Sequence, residues 1–94
     1  MVEITDAARD KIKEVLVENP GKYVRIVVAG LGWRGPKLGL ALDEPEKDEK
    51  PFPINGVDVL MDAQIQGFSE GRVVDFISSP YGETFTIENP YEPC

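Results

Sequence analysis

The stretch VAGLGWRGP, residues 28–36, decides how this chain folds. It holds Gly30-Leu31-Gly32-Trp33-Arg34-Gly35, a literal G-x-G-x-x-G, directly after the β-formers Tyr23-Val24-Arg25-Ile26-Val27-Val28-Ala29. A dinucleotide-binding loop of that spacing must open a helix whose N-terminus faces the pyrophosphate. The residues after Pro36 are instead Lys37-Leu38-Gly39-Leu40-Ala41-Leu42-Asp43, which alternate with period two and read as a strand. No second βαβ half fits the remaining residues, and no Gly-Lys-Ser/Thr is present for a Walker loop. The glycines therefore mark a tight connection between neighbouring strands, where they permit close backbone approach. Val24, Ile26 and Val28 are expected inward on the first strand, and Leu38, Leu40 and Leu42 on the second. Trp33, between the glycines, either folds back over the core or stands out as a contact residue.

Working outward, Thr5 or Asp6 caps a helix whose apolar stripe is Ala8, Ile12, Val15 and Leu16, stopped by Asn19-Pro20-Gly21. Residues 43–51 are nearly all charge between prolines and read as a solvated loop. Phe52-Pro53-Ile54 and Val57-Asp58-Val59-Leu60-Met61 flank Asn55-Gly56, the preferred two-residue hairpin turn. Asp62 to Phe68 suggests a short helical turn broken by Gly67. Residues 72–78 and 83–88 read as two strands joined by Ser79-Pro80-Tyr81-Gly82, with Phe85 and Ile87 inward. The expected fold is mainly β (α+β): a compact, barrel-like β-sandwich with one N-terminal helix. Residues 1–88 form a single domain in this reading, and residues 89–94, with two prolines, form a flexible tail.

Composition removes whole classes of function. The 94 residues carry 10 Lys plus Arg against 17 Asp plus Glu, a net charge of −7, which disfavours phosphate-backbone binding and leaves nucleic acid out of the expected partners. There is no His and one Cys, Cys94, so neither a Ser-His-Asp nor a Cys-His arrangement can be built, nor an internal disulfide. No apolar run approaches a membrane span and the opening MVEITDAARDK lacks a signal-peptide core, so the expected setting is cytoplasmic, with no membrane partner. Asp58, Asp62 and Asp75 could be imagined as acid–base partners, but no nucleophile–base pair can be assembled around them, and no enzyme is expected.

Taken in order, these elements resemble the HesB/IscA-like family, the A-type carriers of iron–sulfur cluster assembly. The resemblance runs from Ile4-Thr5-Asp6-Ala7-Ala8 through the glycine loop and acidic turn, residues 30–45, and on through Asn55-Gly56-Val57-Asp58-Val59-Leu60-Met61-Asp62 and Val74-Asp75-Phe76. It ends at Phe85-Thr86-Ile87-Glu88-Asn89-Pro90. It implies dimers or tetramers that bind iron or a small cluster through three cysteines, and that exchange it with cluster donor or acceptor proteins. One family cysteine lies in a G-C-(S/G)-G loop and two in a C-G-C after the Asn-Pro. Matched position by position, the loop cysteine falls at Trp33, in Gly32-Trp33-Arg34-Gly35, and only Cys94 corresponds to the C-terminal pair.

That departure bears on chemistry, because iron–sulfur clusters want thiolates, normally four. An indole offers an N–H and no usable lone pair. Two readings are open. In one, the chain is a carrier-like protein with an incomplete ligand set, Cys94 being its metal and cluster ligand, so that iron or a cluster is held weakly at best. In the other, it is a metal-free protein-binding module on the family scaffold. Its interaction loop is then Gly30, Leu31, Gly32, Trp33, Arg34 and Gly35, since Trp and Arg dominate interface hot spots. The bland alternatives are a terminal thiol without a role at Cys94, a packing tryptophan at Trp33 and a solvated charge at Arg34.

Overall fold

The computed structural model describes residues 2–33 and 35–89. A two-residue strand, β1 (Glu3–Ile4), leads into helix α1 (Asp6–Val17). Thr5 is the N-cap: its hydroxyl accepts from the Ala8 N–H at 3.2 Å and donates to the Asp75 carboxylate at 2.7 Å. One side chain thus starts the helix and ties it to a strand seventy residues away. Strands β2 (Tyr23–Gly32) and β3 (Gly35–Asp43) come next, then β4 (Phe52–Ile54) and β5 (Val57–Leu60). A second helix, α2 (Ala63–Ser69), precedes β6 (Val73–Ser79) and β7 (Gly82–Glu88).

The strands form two open sheets, one ordered β1-β6-β7 and the other β3-β2-β5-β4. β1 lies parallel to β6, and β2 parallel to β5; the other pairs are antiparallel. Helix α1 touches β6 of one sheet and β2 and β5 of the other, so its stripe joins the two layers. Ala8 and Ile12 are buried there with Ile4, Val24, Ile26, Val59 and Val74. This is the expected mainly β arrangement with its N-terminal helix.

Three local expectations change. The segment after Asp62 is a full helix that runs through Gly67, and it ends where Gly71 turns at φ 76°. The strands form two open sheets, so the barrel-like description applies only loosely. Val28 and Leu42, expected inward, are 49% and 42% exposed, although their ladder partners Leu38 and Val24 are buried. The Asn55-Gly56 hairpin forms as expected, both residues having positive φ. Asn55 goes further: its amide donates to the Ile4 carbonyl at 2.8 Å and pins the hairpin to the chain start. Of the expected tail, residues 90–94 lie outside the described residues.

Candidate functional site

The strand that leads to the glycine loop has two unlike ends. At its start β2 is flanked on both sides, by β3 and, through Val24 and Arg25, by β5. Beyond Arg25 its ladder partner is β3, and the two run on together as a ribbon. The register shifts between Val28 and Gly30, a bulge that leaves Ala29 as the extra residue. Pairing then continues as Gly30 with Lys37, Leu31 with Pro36 and Gly32 with Gly35. At Gly39 a Cβ would stand 3.0 Å from that of Ala29, so a side chain there would have to push its neighbour aside. Trp33 sits at the tip. It is completely solvent-exposed, and Leu31 beside it is 85% exposed. The indole is not folded over the core; of the two readings open for it, the outward one holds.

At the other end, Arg25 is buried within a clasp of carboxylates. Its guanidinium donates to Asp43 at 2.6 Å, to both oxygens of Glu49 at 2.6 and 2.9 Å, and to Asp62 at 2.9 Å. The Glu49 bond holds Arg25 protonated far above its ordinary range; burial opposes this and Asp43 adds to it. The Asp43 carboxyl is held below its usual value of 3.8, first by the Glu44 backbone N–H and then by Arg25. Glu49 is held below its usual 4.5, first by Arg25 and then by the Glu46 backbone N–H. The acidic segment read as a solvated loop is therefore anchored at both ends to one buried cation, while Lys47 and Asp48 between them are exposed. Sequence reading passed over Arg25. The signal was present: a charge set within Tyr23-Val24-Arg25-Ile26-Val27-Val28, with a carboxylate-rich segment further along the chain.

The three aspartates considered for acid–base work have separate duties. Asp62 serves Arg25, Asp75 accepts from the Thr5 hydroxyl and the Phe76 N–H, and Asp58 is exposed on β5. Among the described residues no group of three or more His, Cys, Asp or Glu could hold a metal ion. The ribbon tip alone does not fit a cluster: it carries an indole where a thiolate is needed. Cys94 lies outside the described residues.

The two-sheet fold, with α1 across both sheets and a glycine-bounded ribbon, has counterparts among known proteins. No protein-family model matches the chain. It is 36% identical over 94 residues to a protein of the nifU 5′ region of Rhodobacter capsulatus, covering 96% of this chain and 88% of that protein. It is 33% identical over 93 residues to a protein of Aromatoleum aromaticum named for iron–sulfur cluster insertion, ErpA, covering 96% and 80%. Among solved structures it is similar to Escherichia coli SufA, involved in biosynthesis of iron–sulfur clusters, with TM-score 0.78 and 30% identity over 98% of this chain and 82% of that one. It is also similar to IscA with its 2Fe–2S cluster, with TM-score 0.69 and 26% identity over 96% and 83%. The chain belongs to the HesB/IscA-like family of A-type iron–sulfur cluster assembly proteins.

Proposed function

We propose that this chain works in iron–sulfur cluster assembly as a carrier-like protein with an incomplete ligand set, for which the cluster is cargo. Support for the role comes from its likeness, along nearly its whole length, to ErpA and to SufA. The observation that carries the qualification is Trp33, fully exposed at the ribbon tip where the family's loop cysteine falls. One thiolate per chain, Cys94, leaves a cluster short of its usual four sulfur ligands even when two chains combine. Iron or a cluster is then held weakly, by the Cys94 thiolates with carboxylates or an external thiol at the remaining positions. Its partners in this reading are cluster donor or acceptor proteins, and its setting is the cytoplasm. No helix among the described residues is long and apolar enough to cross a membrane. The proposed role is transfer and not catalysis; without His, neither a Ser-His-Asp nor a Cys-His arrangement can be built.

Anaerobic reconstitution of the chain and of Cys94→Ala with iron, sulfide and thiol tests this. Substoichiometric iron that disappears in Cys94→Ala supports the reading. Equal iron in both removes Cys94 from it. A second reading, protein binding without metal, is favoured by the exposure of Leu31 and Trp33. An absence of iron in both proteins would leave that reading standing.

A further inference from the structure

At the start of β2, away from the ribbon tip, an open pocket of about 330 Å³ lies between α1, β2 and the β4–β5 hairpin. An extended strand of the length of β2 holds it roughly 30 Å from Trp33, so it is separate from the ligand position at the tip. Its volume falls at the small end of ligand pockets, about 300–1,000 Å³. Lys13 of α1 and Lys22, just before β2, bring two ammonium groups to it, and Asp58 of β5 brings one carboxylate. In a chain with 17 acidic and 10 basic side chains, this is a local excess of cation. Among the described residues the side chains of Lys13 and Asp58 form no ion pair or hydrogen bond, with each other or with any neighbour. The Lys13 ammonium lies over the hairpin turn, where a Cβ on Gly56 would stand 3.5 Å from it. Lys22 meets Glu44 at 3.7 Å with both side chains exposed, a pair that contributes little and is easily displaced.

Leu16, Tyr23 and Val57 give the pocket an apolar lining between these charges. Gly21 and Gly56, at φ 83° and 80°, add backbone without side chains and leave it open to solvent. Opposite charges that share a concavity without pairing complement a ligand that carries both roles, an anion for the ammonium groups and a donor for the carboxylate. The two-to-one balance calls for an anion of more than one charge, and a phosphate monoester supplies nearly two charges and three acceptor oxygens. We propose that this pocket binds a small phosphate monoester of a polyol. Its phosphate sits between Lys13 and Lys22, a hydroxyl donates to Asp58, and its carbon skeleton lies along Leu16, Tyr23 and Val57. The site uses no metal and does not depend on cluster binding.

Metal-free full-length chain, titrated with glycerol 3-phosphate, inorganic phosphate and glycerol and followed by amide chemical shifts, tests the proposal. The expected result is saturable binding of glycerol 3-phosphate with a Kd of about 1 mM or tighter, its shifts centred on residues 13, 21–23 and 56–58. Inorganic phosphate should bind more weakly, and glycerol not at all. Lys13→Gln should weaken glycerol 3-phosphate at least about tenfold, the scale of one charged hydrogen bond. Lys47→Gln, exposed on the acidic segment, should leave it unchanged. Asp58→Ala separates a built site from charge attraction alone. It should tighten inorganic phosphate by removing a like charge, and abolish the preference for glycerol 3-phosphate. Unaltered circular dichroism confirms that the variants fold. No saturable binding of either phosphate, or undiminished binding in Lys13→Gln, would overturn the proposal. So would equal affinity for the two phosphates in the parent, or tightening of both by the same factor in Asp58→Ala, because Asp58 would then recognise nothing.

Discussion

The two ends of β2 invert the usual relation between polarity and burial. Near its start a guanidinium lies buried; at its tip an indole lies in water. Arg25 is held because every direction it can donate in meets a carboxylate or carbonyl, so the cost of desolvating the charge is offset by paired hydrogen bonds. Trp33 has no such return inside the chain: its apolar area is left for something outside it. One end of the strand is fixed by what the fold needs, and the other is kept by what the fold does not use.

Substitutions should separate the two ends by the size of their effect on stability. Arg25→Met removes the centre of the clasp and leaves three carboxylates facing one another. The loss should approach the about 3–5 kcal/mol seen when one partner of a buried pair is removed, reduced to about 2–4 because Asp43 and Asp62 reach water. Thermal melts would record it as a drop of roughly 10 °C or more. Its pH dependence has a definite sign. Asp43 and Glu49 titrate below their ordinary values when folded, so the stability they add is complete above the ordinary carboxylate range and is lost as pH falls through their folded values. The melting gap between the parent and Arg25→Met should therefore close below about pH 4. A gap that widens in acid would contradict the clasp.

Next in size is Gly39→Val, which forces a side chain into the 3.0 Å approach to Ala29 and should cost about 1–3 kcal/mol by overpacking. Hydrogen exchange should then quicken in the ribbon before it does in β6 and β7. Asn55→Ala gives up the bond to the Ile4 carbonyl and an αL-tolerant residue at φ 48°, a loss of about 1–2 kcal/mol by denaturant titration. Trp33→Ala should be the smallest, within about 0.5 kcal/mol, because a fully exposed side chain contributes nothing to the packed core. A larger loss in dilute monomer would mean that the indole packs against its own chain.

Legible in the sequence was whatever periodicity and turn chemistry determine locally. The Ala8–Ile12 stripe, the Asn55-Gly56 hairpin and the replacement of a nucleotide loop by a strand connection all depend on residues close in sequence, and all stand in the structure. The family likeness was legible for the same reason, since its pieces are short and ordered. Missing were features set by distant partners. Arg25 is buried by Asp43, Glu49 and Asp62, which lie 18 to 37 residues further on. Val28 and Leu42 alternate as expected yet stay about half exposed beside the buried Leu38 and Val24, a difference that a period of two cannot reveal. The helical segment passes through Gly67 because Ile65 and Ser69 are buried against the body, so packing overrides a weak breaker.

The central claim is that an otherwise intact assembly scaffold carries an indole at its loop-ligand position. The direct measurement is iron and sulfide bound per chain, with the visible absorption spectrum, after anaerobic reconstitution of the parent and of Trp33→Cys. The expected result is weak, substoichiometric loading in the parent and a clear gain of both iron and sulfide in Trp33→Cys. Equal loading of the two proteins would contradict the claim, because the position at the ribbon tip would then have no part in holding the cargo.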